Sequence, residues 1–149
     1  MSNKNYSVSI TLDATPQEAF NCINKVSEWW TENLEGNSQQ LNDEFIVRFD
    51  DVHVSKQKLV EVIPGKKIVW LVTESRLNFI ENKSEWTGTK ICFEISEAGK
   101  KTVLRFTHEG LVPEVECFSV CSDVWQSYIQ QSLANLIHTG KGQSTPKKK

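Results

Sequence analysis

Few side chains in this sequence of 149 residues have the chemistry and the spacing of catalytic groups. His108 and Glu109 stand together near the end of an alternating stretch, and a histidine beside a cavity can act as a general base or as a polar anchor. Adjacent strand residues point to opposite faces, so the two side chains do not act as one unit. The sequence contains no nucleophile elbow, zinc-protease motif, phosphate loop or dinucleotide glycine motif. It therefore indicates no catalytic residue, no metal ion and no cofactor.

The four cysteines are expected to be free thiols that pack as small apolar side chains; they are Cys22, Cys92, Cys117 and Cys121. Cys117 and Cys121 lie four residues apart, so they share one face of a predicted helix. This spacing would also suit half of a metal site or a redox pair. It lacks the C-x-x-C pattern, however, and no histidine lies nearby in the sequence. We therefore interpret both cysteines as structural.

The composition excludes several classes of partner. The formal charge is −2, and the only basic cluster is the run of lysines at positions 147–149. A nucleic-acid-binding surface needs clustered Lys and Arg within the domain, so no nucleic-acid partner is expected. No run approaches the roughly 18 apolar residues of a membrane span, and the first ten residues lack the apolar core of a signal peptide. The sequence therefore predicts a cytoplasmic protein without a membrane span.

One long amphipathic helix over residues 114–139 dominates the chain. Its apolar residues recur at steps of three and four, as on one face of an α-helix; they are Phe118, Cys121, Trp125, Tyr128, Ile129, Leu133, Leu136 and Ile137. Gly140 follows directly and is typical of a helix end. No segment upstream has a comparable pattern, so the rest of the chain must form a sheet that packs on this helix.

The upstream chain has the pattern of one strand, two short helices and about five further strands. Residues 6–12 alternate apolar and polar side chains, and Thr15, Pro16 and Glu18 form the capping signal of a helix. A second helical turn carries Trp29 and Trp30. The later strands are predicted at residues 45–49, 52–62, 67–72, 89–96 and 102–108. Short turns between them indicate an antiparallel sheet, which must curve around the single helix.

A pocket is expected where the curved sheet and the helix leave space between them. Its predicted lining combines the apolar strand faces with the helix face: Trp30, Phe45, Val47, Trp70, Phe93, Ile95, Phe106, His108, Trp125 and Ile129. The alternative is a closed core packed to normal density, which would use the same residues. The irregular loop 74–88 contains several large apolar residues, Trp86 among them, so it is expected to pack on the domain and to move when a ligand binds.

Four stretches carry a resemblance to a known superfamily. They are ATPQEAF at 14–20, the Trp29–Trp30 pair, FTHEGL at 106–111, and WQSYI at 125–129 with SL at 132–133 and TGKG at 139–142. In this order and spacing they resemble the START-like (Bet v 1-like, SRPBCC) superfamily. Within it, the chain is similar to the family related to the C-terminal domain of Aha1, the activator of Hsp90 ATPase. Val124 departs from the glycine common at this place in the family, so its side chain is expected to reshape the space beside the helix.

The resemblance implies an α+β helix-grip fold, a curved antiparallel sheet around one long C-terminal helix with two short helices after the first strand. It implies one START-like domain over residues 1–140, followed by a disordered Lys-rich tail at 141–149. Three functions remain open. The first is binding of a small hydrophobic ligand between sheet and helix, and the second is interaction with an Hsp90-type chaperone. The third is an enzyme, such as a cyclase or hydrolase, that uses His108 or Glu109.

Overall fold

The structure is a computed structural model that describes residues 5–49, 53–78, 80–81 and 83–144. Most of the predicted Lys-rich tail, residues 145–149, lies outside these ranges, as does residue 52 at the start of a predicted strand. Within them the chain forms seven strands: β1 (Tyr6–Leu12), β2 (Leu34–Gly36), β3 (Glu44–Phe49), β4 (His53–Ile63), β5 (Lys67–Leu77), β6 (Lys90–Ala98) and β7 (Lys101–Glu109). Six of them match strands that the sequence alternation predicts, and β2 is additional.

The strands form one antiparallel sheet in the order β1-β7-β6-β5-β4-β3-β2. Strands β2 to β7 follow one another as neighbours, and β1 pairs with β7 in a register that sets Tyr6 opposite His108. The first strand therefore closes the edge that the last strand would otherwise expose. This topology sets β1 beside the C-terminal helix, and it confirms the predicted helix-grip architecture.

Two short helices, α1 (Pro16–Ile23) and α2 (Val26–Trp29), separate β1 from β2. The predicted capping box is present at α1, because the Thr15 hydroxyl accepts the Glu18 N–H and the Glu18 carboxylate accepts the Thr15 N–H. Trp29 is fully buried, and its indole donates to the Ile23 carbonyl across 3.0 Å. This bond joins α2 to the end of α1 and fixes the position of Trp30, the next residue.

The C-terminal helix is continuous but has three parts: α3 (Phe118–Ser127), a π-helical segment (Tyr128–Leu133) and α4 (Ala134–Thr139). It ends at Gly140, whose φ of 83° is the left-handed conformation of a glycine cap. It begins four residues later than predicted. Residues 112–117 form tight turns instead, in which Val115 N–H bonds to the Val112 carbonyl, and Phe118 N–H at the start of α3 bonds to the Val115 carbonyl.

Two strand boundaries also differ from the prediction. Residues 35–38 have the composition of a turn, but Glu35 and Gly36 belong to β2 and pair with Ile46 and Phe45 of β3. A side chain at Gly36 would come within 2.3 Å of the Glu44 carbonyl, so the pairing requires glycine there. Strand β5 extends to Leu77 and takes the first residues of the predicted loop 74–88, because Glu74 to Leu77 pair with β4.

Aromatic rings fill the space between the middle of the sheet and the helix. From β3 towards the helix, ring centroids lie 5.0 Å apart for Phe45 and Trp70, 4.8 Å for Trp70 and Phe93, and 5.3 Å for Phe93 and Phe106. Phe106 then contacts Trp125 of α3 at 4.6 Å. The pairs are tilted or edge-to-face, which is the favoured geometry for aromatic contacts. This part of the interior is therefore closed.

Candidate functional site

A strongly apolar cavity lies at the N-terminal end of the helix, and its volume is about 440 Å³. Four parts of the chain form its wall. They are α3 with Tyr128 directly after it, Trp30 directly after α2, the facing ends of β3 and β4, and Trp86 of the loop 78–89. The lining residues are Trp30, Phe49, His53, Trp86, Val120, Cys121, Val124, Trp125 and Tyr128. No charged side chain lines it among the described residues. The cavity therefore suits an uncharged, largely apolar molecule.

Tryptophan rings form the deep wall of this cavity. Trp86 stacks on Trp125 with an interplanar angle of 12° and a centroid distance of 5.8 Å, while Trp30 lies 4.9 Å from Trp125. All three side chains are at most 4% exposed. At the mouth, by contrast, Val120 and Val124 are 54% and 45% exposed. The cavity thus has rigid aromatic walls inside and a solvent-exposed apolar rim.

A hydrogen-bond chain through His108 holds two of these tryptophans. The Trp125 indole donates to His108 Nδ1 across 3.1 Å, so His108 carries its proton on Nε2 and donates to the Thr89 hydroxyl across 2.8 Å. Thr89 in turn donates to the Trp86 carbonyl across 2.6 Å. Burial lowers the pKa of His108 to about 3, and the nearby His53 adds to this effect. Both ring nitrogens are occupied, so His108 positions Trp125 and Trp86.

His53 is the polar residue of the cavity wall, and sequence reasoning missed it. Its ring lies edge-to-face against Trp86 at 4.7 Å and against Phe49 at 5.1 Å. The charged residues that alternate along this strand indicate a half-exposed position for His53, but its side chain is 8% exposed. Burial lowers its pKa to about 3, so the imidazole is neutral at pH 7. A neutral imidazole in an apolar wall can orient a ligand through one hydrogen bond.

The structure distributes the ten residues that were predicted to line a pocket between two regions. Trp30 and Trp125 line the cavity. The other eight are buried in the closed interior beside it: Phe45, Val47, Trp70, Phe93, Ile95, Phe106, His108 and Ile129. The cavity lies nearer the start of the helix than expected, because the aromatic rings described above fill the centre. Two features of the sequence indicated the position of this cavity. One is Val124, in place of the glycine common in the family, and the other is the loop of large apolar residues that contains Trp86.

The structure brings Cys117 and Cys121 side by side at the start of α3, with their Cα atoms 5.4 Å apart, because a four-residue step returns to the same face of a helical turn. Cys121 also lines the cavity, so this pair forms part of its wall. Cys22 and Cys92 are free thiols, as expected.

A carboxylate clasp attaches the loop 78–89 to the beginning of the helix. The Glu85 carboxylate accepts the N–H groups of Glu116 and Cys117, each across 2.9 Å. In the opposite direction, the Glu116 carboxylate accepts the Glu81 N–H across 3.3 Å. N–H groups at a helix start have no partner within the helix, and a negative charge there is favourable. Because Trp86 follows Glu85, the clasp holds Trp86 in the cavity wall.

Replacing Glu85 with Ala should release this loop. Two backbone N–H groups lose a charge-assisted acceptor, so we expect the amides of Glu116 and Cys117 to exchange with solvent at least tenfold faster. Amide hydrogen exchange read by NMR or mass spectrometry measures this directly. Glu81→Ala is the matched control, because Glu81 contributes its backbone N–H and keeps it. Equal exchange rates in the wild type and the Glu85 variant would contradict the clasp.

The described residues contain no other arrangement that suggests chemistry. No group of three or more His, Cys, Asp or Glu side chains among them could hold a metal ion. No helix in the described part of the chain is both long and apolar enough to cross a bilayer.

No protein-family model matches this chain, and no curated protein matches it. Several solved structures match this chain. The Aha1 dimer from Colwellia psychrerythraea has a TM-score of 0.75 at 23% identity, over 93% of this chain and 98% of that chain. SSP2350 from Staphylococcus saprophyticus has a TM-score of 0.70 at 12% identity, over 95% of this chain and 98% of the other. DynU16, a protein of the dynemicin biosynthetic locus, has a TM-score of 0.67 at 14% identity, over 95% of this chain and 49% of that chain.

Together, the curved sheet, the gripping helix and these likenesses define the START-like, Bet v 1-like fold. Among structures of this type, the protein is similar to the Aha1 dimer over nearly the whole length of both chains. The sequence motifs and the structure therefore agree on the fold. At 23% identity or less, the likeness does not extend to ligand or partner.

Proposed function

We propose that the protein binds a small hydrophobic molecule in the cavity between α3, the loop 78–89 and the ends of β3 and β4. The observation that supports this most strongly is an aromatic cavity of about 440 Å³ with an exposed apolar mouth. Ligand sites typically measure about 300–1,000 Å³ and combine apolar walls with a few polar groups. Here His53 supplies a polar group, and the two exposed valines supply the apolar rim.

A tryptophan at position 124 should block this site. Val124 is 45% exposed at the mouth, so a larger side chain can fill the opening without disturbing the core. We expect Val124→Trp to weaken binding of an apolar probe such as Nile red at least tenfold, while the free energy of unfolding changes by about 0.5 kcal/mol or less. The fluorescence of the probe during titration measures the change.

The matched control is Val60→Trp, because Val60 is also an exposed valine, 37% exposed, and lies on β4 away from the cavity lining. That variant should bind the probe as the wild type does. Wild-type protein that binds no apolar probe, or equal binding by both tryptophan variants, would argue against this function.

The second candidate is interaction with an Hsp90-type chaperone, favoured by the likeness to the Aha1 dimer over 93% of the chain. It predicts that the protein binds such a chaperone and changes its ATPase rate, which a coupled ATPase assay would test. No change in rate and no complex at tens of micromolar would remove this candidate. Catalysis by His108 has less support, because both of its ring nitrogens already have hydrogen-bond partners.

A further inference from the structure

Three polar residues follow one another on the inward side of β4. His53, Ser55 and Gln57 alternate with outward-facing residues, and their exposed fractions are 8%, 1% and 0%. Inward positions of a half-buried sheet are normally apolar, since burying a polar group without a partner is unfavourable. His53 is the member of this row that reaches the cavity, and Ser55 and Gln57 lie behind it.

The row is joined by two short hydrogen bonds. The Gln57 side-chain N–H donates to the Ser55 hydroxyl across 2.6 Å, and the same hydroxyl lies 2.8 Å from His53 Nε2. A serine hydroxyl has one hydrogen to donate and can also accept. Since it accepts from Gln57 and has no other acceptor among the described residues, its own hydrogen goes to His53 Nε2. The imidazole proton is therefore on Nδ1.

The orientation of the Gln57 amide decides this tautomer. The observed orientation leaves the buried oxygen, Oε1, and one of the two N–H bonds of the amide without a partner. The reverse orientation would leave the amide nitrogen without one and thereby bury two unpaired N–H bonds. Orphaned buried donors are rarer in proteins than under-used carbonyl oxygens, so the placed orientation is favoured. Within the described residues, His53 Nδ1 has no hydrogen-bond partner, and it is available to a ligand.

We propose that His53 determines the specificity of this cavity by donating a hydrogen bond from Nδ1 to an acceptor oxygen on a flat, uncharged ligand. Ser55 and Gln57 are positioning residues that fix the tautomer. The nearly parallel rings of Trp86 and Trp125 favour a planar molecule. The absence of charged side chains from the described lining disfavours an ion, which would be desolvated there without a counter-charge. This inference rests on the proposed function.

The tautomer can be tested without any ligand, by nitrogen-15 NMR of the histidine rings at pH 7. His53 should show protonated Nδ1 and bare Nε2. His108 is the internal control with the opposite pattern, because the Trp125 indole donates to its Nδ1. In Ser55→Ala, the His53 signals should shift towards a mixture of tautomers, whereas those of His108 should not change. A His53 ring that is protonated on Nε2 in the wild type would overturn the proposal.

The ligand preference can be tested with three tricyclic probes of nearly the same shape. Fluorene has no polar atom, 9-fluorenone has an acceptor oxygen and carbazole has a donor N–H. Tryptophan fluorescence quenching gives each Kd, because three tryptophans line the cavity. We expect wild-type protein to bind fluorenone roughly tenfold more tightly than fluorene, and carbazole no more tightly than fluorene.

The ratio of the fluorene and fluorenone affinities is the critical measurement. His53→Phe keeps an aromatic ring against Trp86 and removes the donor, so the ratio should fall to about one. Val60→Ala, on the opposite side of β4, should keep the wild-type ratio. If wild-type protein binds all three probes equally, or prefers carbazole, the inference fails and the proposed function stands. If none of the probes binds, both fail.

Discussion

Replacing Trp125 with alanine should lower the free energy of unfolding by about 3–5 kcal/mol, the usual loss when a large buried aromatic side chain is removed. The Trp125 side chain is 1% exposed and contacts Phe106, Trp30 and Trp86. It also donates the hydrogen bond that fixes His108. Removing it leaves a cavity between helix and sheet and an unpaired buried nitrogen. Urea unfolding followed by circular dichroism would measure the difference.

A second variant, Trp125→Phe, separates the contribution of the hydrogen bond from that of the apolar contact. It keeps most of the apolar contact but removes the indole N–H, so His108 Nδ1 loses its donor. We expect a loss of about 1–3 kcal/mol, the range for a buried group left without its partner. If both substitutions cost less than 1 kcal/mol, Trp125 cannot be the contact that joins the helix to the sheet.

The protein should lose stability when the pH is lowered from 7 to 5. Histidine in an unfolded chain has a pKa near 6.5, whereas burial lowers the pKa values of His53 and His108 to about 3. Below pH 6.5 the unfolded state takes up protons that the folded state does not bind. The contribution of the two neutral histidines to the free energy of unfolding is therefore complete above pH 6.5, and it decreases as the pH falls towards 3. At pH 5 the expected loss is about 2 kcal/mol for each histidine, or about 4 kcal/mol together.

Urea unfolding at pH 7, 6 and 5 would measure this loss, and His53→Phe provides the control. With one buried histidine removed, the difference between pH 7 and pH 5 should fall to about half. The ring signals of both histidines in the folded wild type should still be those of neutral imidazole at pH 5. Superimposable unfolding curves at pH 7 and pH 5 would show that the two rings are not held neutral.

Local rules were sufficient to predict most of the architecture. The Thr15 capping box appears as the sequence indicates, because it depends only on residues 15–18. The strands follow period-two alternation for the same reason. The start of the C-terminal helix could not be predicted, since residues 114–117 belong to the predicted helix but form tight turns before Phe118. The N–H groups of Glu116 and Cys117 bond to Glu85, which lies more than thirty residues away in the sequence.

The position of the cavity depends on tertiary packing that periodicity does not reveal. The strand residues that were predicted to line a pocket pack against one another instead, as the contact of Trp70 with Phe93 shows. The wall is completed by Trp86, whose loop is held on the helix by the clasp and by the stacking of Trp86 on Trp125. His53 was missed because His, Ser and Gln at inward positions resemble an exposed strand face in a hydropathy pattern.

The π-helical segment has a geometric consequence for a domain with a single gripping helix. In an α-helix a step of four residues overshoots a full turn by about 40°, so a line of side chains four apart slowly winds around the axis. Trp125, Ile129 and Leu133 are such a line, and all three are buried. The wider turns at Tyr128–Leu133 counteract this rotation and keep the ridge straight. A straight ridge can lie along the trough of the curved sheet from Trp125 onwards, which is how one helix covers the closed part of this core.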